Sequence, residues 1–342
     1  MNDQSNVVHN KKLVKAAMDA IAHSSIESLS ETLYKAYHKD AEWRGSHPLN
    51  ELNGVDQIER VVWKPLLTSF PDLERRDNIV IGGSYQDREY VGMVGHLAGR
   101  FEEDWLAIPA TGGLIYLRYG EFHQILEGKI IQSTVLIDVL DVIRQAGFWP
   151  LAPSLGSEEM WPGPITADGV VMIEQDPQES ANNLKLTRAM HQSLDNNIVE
   201  RDELLNMSQR QYWHPRMMWY GPCGIGTGRG LQGFVDCHQR PFRIAFPERR
   251  YGEGHYVRIG DGKYTATAGW PSVISKHEGS NWLGLAGTGK NVEMRVMDFY
   301  LTDENLIREN WVPIDINHIL LQLGVDIMAR VRQQFRKPSV YD

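Results

Sequence analysis

The chain has 342 residues, 42% hydrophobic and 23% charged, with a formal net charge of −9 and a pI near 5.8. That length accommodates two domains of about 150 residues, each with its own core, and the acidic balance argues against a nucleic-acid or anionic-membrane partner, since both demand basic surface. The polar start reads as no secretion signal, no apolar run approaches a membrane span, and two cysteines, Cys223 and Cys237, are too few for a disulfide framework or a zinc site, so a cytoplasmic protein with reduced thiols is expected.

In chain order, residues 11–37 carry a helical period, with Leu13, Ala17 and Ala20 on one stripe. A short strand is expected at 41–44. A helix follows from Gly54 through Pro65, where a kink is expected, to Phe70-Pro71. Four strands come next, at 78–84, 90–101, 114–126 and 129–139, the last two joined by a two-residue turn at Glu127-Gly128. The stretch 149–177 is rich in Pro and Gly and reads as an extended connector. The pattern then repeats: a helical region at 183–212, a strand at 217–220, a helix from Gly230 through Pro241 to Phe246-Pro247, and strands at 251–260, 263–275, 292–301 and 306–315. Helices packed on one side of a mostly antiparallel sheet make an α+β domain with a concave interior. The expected organisation is a domain at 1–165, a linker at 166–178 and a second domain at 179–342.

The two halves also match residue by residue. At an offset of 177, Trp105/Trp282, Thr111/Thr288, Arg118/Arg295, Phe122/Phe299, Asp138/Asp315 and Gly147/Gly324 coincide without a gap, and at an offset of 176 so do His38/His214, Trp43/Trp219, Gly54/Gly230, Pro65/Pro241 and Phe70/Phe246. A period this long is that of a whole domain, not of a solenoid, and indicates a tandem duplication. Each half then serves as a control for the other. Gly228–Gly233 matches G-x-G-x-x-G but lacks the βαβ context of a dinucleotide site, and its twin segment keeps only Gly54. Residues 284–291 miss a phosphate loop because Asn291 stands where Ser or Thr would bind Mg²⁺. No metal-ligand spacing occurs, and neither a cofactor nor a metal is expected.

What recurs is an acid at the end of each last strand, Asp138 and Asp315. An acid placed there among Ile, Leu and Val loses solvation, its pKa rises, and it becomes able to take a proton from a carbon beside a carbonyl. A helix N-cap explains the same two residues equally well. With a tight turn at Glu127-Gly128, Asp138 pairs with Leu117 and His123 faces Gln132, roughly 20 Å away along the strand. In that register Arg118 and Arg295 point to the outer face, while Glu121 and Asp298 share the face of Asp138 and Asp315.

The segments ENWVPIDINHILLQLGV (309–325), WKPLLTSFPDLERR (63–76) and HQRPFRIAFPERR (238–250) resemble the SnoaL-like polyketide cyclases of the nuclear transport factor 2-like superfamily. The resemblance implies two fused cone-shaped α+β domains, each a curled, mostly antiparallel sheet with helices on its concave side. It implies a cofactor-independent lyase or isomerase in which the last-strand acid, here Asp138 and Asp315, drives an aldol closure of a small apolar or aromatic carbonyl or ester compound. A family histidine on the preceding strand falls near His123, where the second half has Tyr300. The remaining pocket candidates are Trp105, Glu121, Trp219, Tyr220, His238, His255, Trp282, Asp298 and Trp311, and Trp311 favours the second half as the better-equipped pocket. The repeat would form a pseudo-dimer within the chain, with a further homodimer left open. An isomerase, lyase or hydrolase using the same Asp, or a non-catalytic binding protein, remains the alternative reading.

Overall fold

The computed structural model describes residues 3–334, apart from Met207, Glu253 and Ser280. The fold is α+β. In the first half the elements are α1 (Asp3–Ala22), α2 (Leu29–Ala36), β1 (Tyr37–Gly45), β2 (Glu51–Asn53), α3 (Val55–Ile58), α4 (Lys64–Ser69), β3 (Glu74–Tyr85), β4 (Arg88–Arg100), β5 (Leu114–Leu126), β6 (Lys129–Ile137) and α5 (Val139–Gln145). In the second half they are α6 (Pro177–Ser193), α7 (Arg201–Asn206), β7 (Trp213–Tyr220), β8 (Gly228–Arg229), α8 (Gly230–Phe234), α9 (Arg240–Ala245), β9 (Arg250–Tyr251), β10 (His255–Asp261), β11 (Tyr264–Lys276), β12 (Asn291–Asp303), β13 (Leu306–Trp311), α10 (Ile316–Leu323) and α11 (Ile327–Gln334). Among the described residues no helix is long and apolar enough to cross a membrane.

One sheet runs β2-β1-β6-β5-β4-β3 and the other β8-β7-β13-β12-β11-β10, with β9 beside β11. Both are antiparallel except where the first strand of the half lies parallel to the last, β1 on β6 and β7 on β13. The region expected as one helix at 11–37 is two, α1 and α2, each burying a stripe at i, i+4, i+7: Val14, Met18 and Ile21, then Leu29, Leu33 and Ala36. The kink expected at Pro65 is a π turn over Glu59–Trp63 just before it, repeated over Val235–Gln239 before Pro241. Proline cannot donate to the carbonyl four residues back and its ring crowds that carbonyl, so one wide turn relieves the clash. The hairpins close on two left-handed residues, Glu127-Gly128 and Glu304-Asn305, as type I′ turns require.

The sequence-based register of the last hairpin is off by one. A bulge at Ile131 pairs His123 with Ser133 and brings Asp138 opposite Arg118, whose carbonyl accepts the Asp138 amide. The twin bulge falls at Arg308. Because side chains alternate along a strand, one inserted residue flips every later side chain to the other face. Asp138 and Asp315 therefore join Arg118 and Arg295 on the outer face, and Glu121 and Asp298 remain alone on the helix-covered face.

The outer faces of the two sheets pack against each other. Ile79, Ile81, Val94 and Leu136 meet Val257, Ile259, Met297 and Trp311 in one buried cluster. At its centre the twin rings Phe122 and Phe299 stack with centroids 5.2 Å apart and planes 19° from parallel. The connector threads this seam, with Trp161 and Val171 buried in the same cluster and Val170 bridging Val80. A buried ion pair, Lys11 Nζ to Asp261 Oδ2 at 2.6 Å, ties α1 to the second sheet.

The seam leaves no room at Gly120, where a Cβ would lie 2.5 Å from the ring Cγ of Pro313. Gly120→Ala is expected to lower unfolding free energy by about 1–3 kcal/mol, whereas Gly113→Ala, whose Cβ would meet only the Thr111 hydroxyl at 3.5 Å, should stay within about 0.5 kcal/mol. Urea denaturation of the two variants checks this, and equal midpoints would refute the seam argument.

Candidate functional site

The two acids singled out in the sequence lie at the seam, in matching surroundings. Asp138 caps α5 by accepting the Asp141 amide and takes a second amide, at 2.8 Å, from Cys223 in the other half. Asp315 caps α10 by accepting the His318 amide and takes its second, also at 2.8 Å, from His47. Cys223 stands 176 residues after His47, so the exchange is reciprocal. Arg118 Nη1 lies 3.7 Å from Asp138 Oδ2, and Arg295 Nη1 lies 3.2 Å from Asp315 Oδ2. Arg295 also reaches Gly45 O and Asn50 Oδ1 across the seam, with Trp270 beneath it at 4.2 Å. Burial pushes Asp315 up to about 6 against the opposing pull of Arg295 and the two amides, and burial with Asp141 pushes Asp138 up. Asp138 borders a crevice of about 10 Å³, room for one water at most. The position expected for a substrate-facing base is thus a cross-half latch.

The cavity lies in the second half, between α6, the π turn with α9, and the inner face of β7 and β10–β13. It encloses about 310 Å³ and its lining includes Asp298 but not Asp315. The two-residue period of β12 aims Val296, Asp298 and Tyr300 inward, and Asn310 of β13 points its amide at Asp298 Oδ1, 3.4 Å away. The Tyr300 hydroxyl hydrogen-bonds the Asp298 carboxylate and sits 2.7 Å from His191 Nε2. A carboxylate only accepts, so Tyr300 donates to Asp298 and receives the Nε2–H of His191. From the π turn, His238 stacks on Trp219 at 4.2 Å. A bulge at Tyr256 puts His255 and Arg258 of β10 on the same inner face. Burial holds His191 and His238 down to about 3 and His255 to about 4, so all three imidazoles are neutral at pH 7 and act as hydrogen-bonding groups.

The first half shows what the same wall does when filled. Glu121, the twin of Asp298, is bonded by Arg75, which also bonds Asp77 through Nε at 2.8 Å and lies over the Tyr119 ring. His123, the twin of Tyr300, sits 2.7 Å from Ser133 Oγ and 3.2 Å from Glu121 Oε1, and Ser133 donates to Tyr37. Burial alone would raise Glu121, but Arg75 and His123 overcome it and hold the acid down to about 2. Asp298 has no such cation. Burial lifts it to about 6, only partly offset by Tyr300 and Asn310. The register places Tyr251 where Arg75 would be. The positions of Arg75 and His123 therefore separate a buried ion pair from a poised acid.

Among the other sequence candidates, Trp219, His238, His255, Asp298 and Tyr300 line the cavity, and Glu121 and His123 belong to the filled cluster. Trp311 and Tyr220 do not reach it. They face the seam, Trp311 donating to Pro162 O and Tyr220 to Glu309, because the bulge at Arg308 turns Trp311 to the outer face. Trp282 packs edge-on against Phe246 at 5.1 Å and Trp105 against Phe70 at 6.3 Å, as core residues of matching loops. Sequence reasoning missed His191, Arg258 and Asn310. Arg188, His191, Gln192 and Asp195 line the cavity at helical spacing, a pattern legible in the sequence, whereas the bulge that aims Arg258 inward is not. Among the described residues no three His, Cys, Asp or Glu side chains converge as a metal site would need.

No family model matches the chain, and neither does any curated protein. Among solved structures, a candidate SnoaL-like polyketide cyclase from Jannaschia sp. CCS1 is 17% identical over 42% of this chain and 95% of its own, with a TM-score of 0.36. AclR, a candidate hydroxylase from Streptomyces galilaeus, is 16% identical over 43% of this chain and 86% of its own, with a TM-score of 0.34. An NTF2-like protein from Burkholderia xenovorans LB400 is 12% identical over 42% and 97%, with a TM-score of 0.32.

Asp315→Ala leaves two buried amides without an acceptor and removes one partner of Arg295, and is expected to cost about 2–4 kcal/mol in urea unfolding. Asp315→Asn keeps an accepting oxygen and should cost less. A loss below about 0.5 kcal/mol for the alanine variant, as at an ordinary surface site, would remove the latch assignment.

Proposed function

We propose that the chain is a tandem duplicate of the SnoaL-like type, with domains near 1–165 and 179–342. In this reading the second half works as a cofactor-independent acid/base enzyme on a small, apolar or aromatic carbonyl compound. The observation that carries the reading is Asp298: a carboxylate without a counter-cation, on the wall of a cavity of mixed polar and apolar lining, raised by burial to about 6. A base of that strength holds its proton loosely enough to return it and tightly enough to take it near neutral pH. Asp298 removes a proton from the carbon beside the substrate carbonyl. Neutral imidazole and amide donors on the wall stabilise the enolate oxygen. The enolate carbon bonds to a second carbonyl carbon of the same molecule, and the resulting alkoxide takes the proton back from Asp298. Tyr300, held by His191, fixes the carboxylate.

α-Deuterium exchange into 2-tetralone, followed by NMR in D₂O, tests the first step without knowledge of the natural substrate. The protein is expected to accelerate exchange with a rate that rises through pH 6 as Asp298 ionises, and Asp298→Asn should lower it by about 10²-fold or more. Exchange at background with tetralone still bound would favour a non-catalytic binding protein. Stability should move the other way. A carboxyl whose folded pKa is raised stabilises the fold below its unfolded value and loses that contribution as pH rises through about 6. Asp298→Asn should therefore gain about 2–3 kcal/mol at pH 7.5 and nothing near pH 3.5. A variant that keeps full exchange activity would overturn the assignment.

A further inference from the structure

Arg258 stands on β10 opposite Thr267 of β11, which stands opposite Asp298 of β12. The three lie in one row across the inner face, so the backbones of Arg258 and Asp298 are two strand spacings apart, about 10 Å. No ion pair joins them. Arg258 Nε is buried without a hydrogen-bond partner, and so is His238 Nδ1 on the facing π turn, while His255 stands near Arg258 on the same strand. All three side chains line the cavity. Buried polar atoms are usually satisfied, and two orphans facing each other across one cavity suit a group that is not part of the protein. In the first half Val80 holds the place of Arg258 and Asp77 that of His255, so this arrangement is not demanded by the fold.

We propose that the cavity takes a small planar carboxylate, its anionic group held by Arg258 and His255 and its acidic carbon presented to Asp298. This rests on the reading of the cavity as a substrate pocket and adds what the substrate carries. A guanidinium supplies the charge and a planar fork of donors suited to two carboxylate oxygens, and the neutral imidazole adds one more. The separation of Arg258 from Asp298 leaves room for a carbonyl-bearing body between anchor and base. Trp213, Phe234, Phe242, Val273 and Met294 on the remaining wall provide the apolar surface for that body, and a volume of about 310 Å³ limits it to a few fused or linked rings. Arg188 at the rim adds a second positive charge to Arg258, and Asp195 is the carboxylate that opposes it there.

Calorimetric titration of the full chain at pH 7 with 2-naphthoate and with its neutral analogue 2-naphthamide is the test. The carboxylate is expected to bind at least about tenfold tighter, the worth of one charge-assisted contact. Arg258→Met should bring the two within about twofold, Arg258→Lys should keep part of the preference, and Asp298→Asn should keep or enlarge it. Equal affinities in the unaltered protein, an unchanged preference in folded Arg258→Met, or binding of neither compound would overturn the proposal. The acid/base reading fails separately, through tetralone exchange that does not depend on Asp298, whatever the ratio of the two affinities.

Discussion

Each half of the chain completes the other through one repeated exchange: the carboxylate that starts the helix after the last strand of one half accepts the amide that follows the first strand of the other half. Asp138 with Cys223 and Asp315 with His47 are the two instances. A buried acid is costly unless it is fully bonded, and neither acid finds its full set of partners within its own half. The stacked pair Phe122 and Phe299, the close contact at Gly120 and the threaded connector all depend on the two sheets being held at that separation. The latch also fixes the last strands, and with them the direction in which Asp298, Tyr300 and Asn310 point.

Glu121 and Asp298 show how little chemistry separates structure from reactivity. They share a strand position and a face, Glu121 sealed in the interior and Asp298 open to the cavity. Arg75 beside Glu121 turns desolvation into a strong ion pair and fills the space. Tyr251 in the matching position leaves Asp298 uncompensated and the space open. His123 and Tyr300 follow suit, one locked to Ser133 and the other holding the carboxylate. Burial raises both acids, and Arg75 with His123, present beside one acid and absent beside the other, decides the sign of the net shift.

Much of the fold was legible because its signals are local. The Pro-rich connector, the strand pairs and the repeat offsets all appear in the sequence, and the helix-plus-antiparallel-sheet class follows from their order. The site was legible only in part. Asp298, Tyr300, His238, His255 and Trp219 could be named from their positions in the repeat. The roles of Asp138 and Asp315 could not, because the bulges at Ile131 and Arg308 leave no mark in composition or spacing, and each reverses the facing of everything after it. Trp311 was misplaced for the same reason. His191 sits on a polar helix whose spacing toward the cavity is legible, but its buried residues Asn183 and Thr187 are polar, so apolar periodicity does not single it out.

The occupied interior of the first half has a consequence for how this chain could change over time. A protein tolerates an unpaired buried acid only while its remaining stability exceeds that cost. Here the cost and the reserve lie in different halves of the chain: the half around Arg75 contributes a filled, ion-paired interior, and the half around Asp298 contributes the opening. Substitutions that reshape the opening are therefore buffered by a neighbouring half that is free of the same demand, a division of labour that one such half alone does not have.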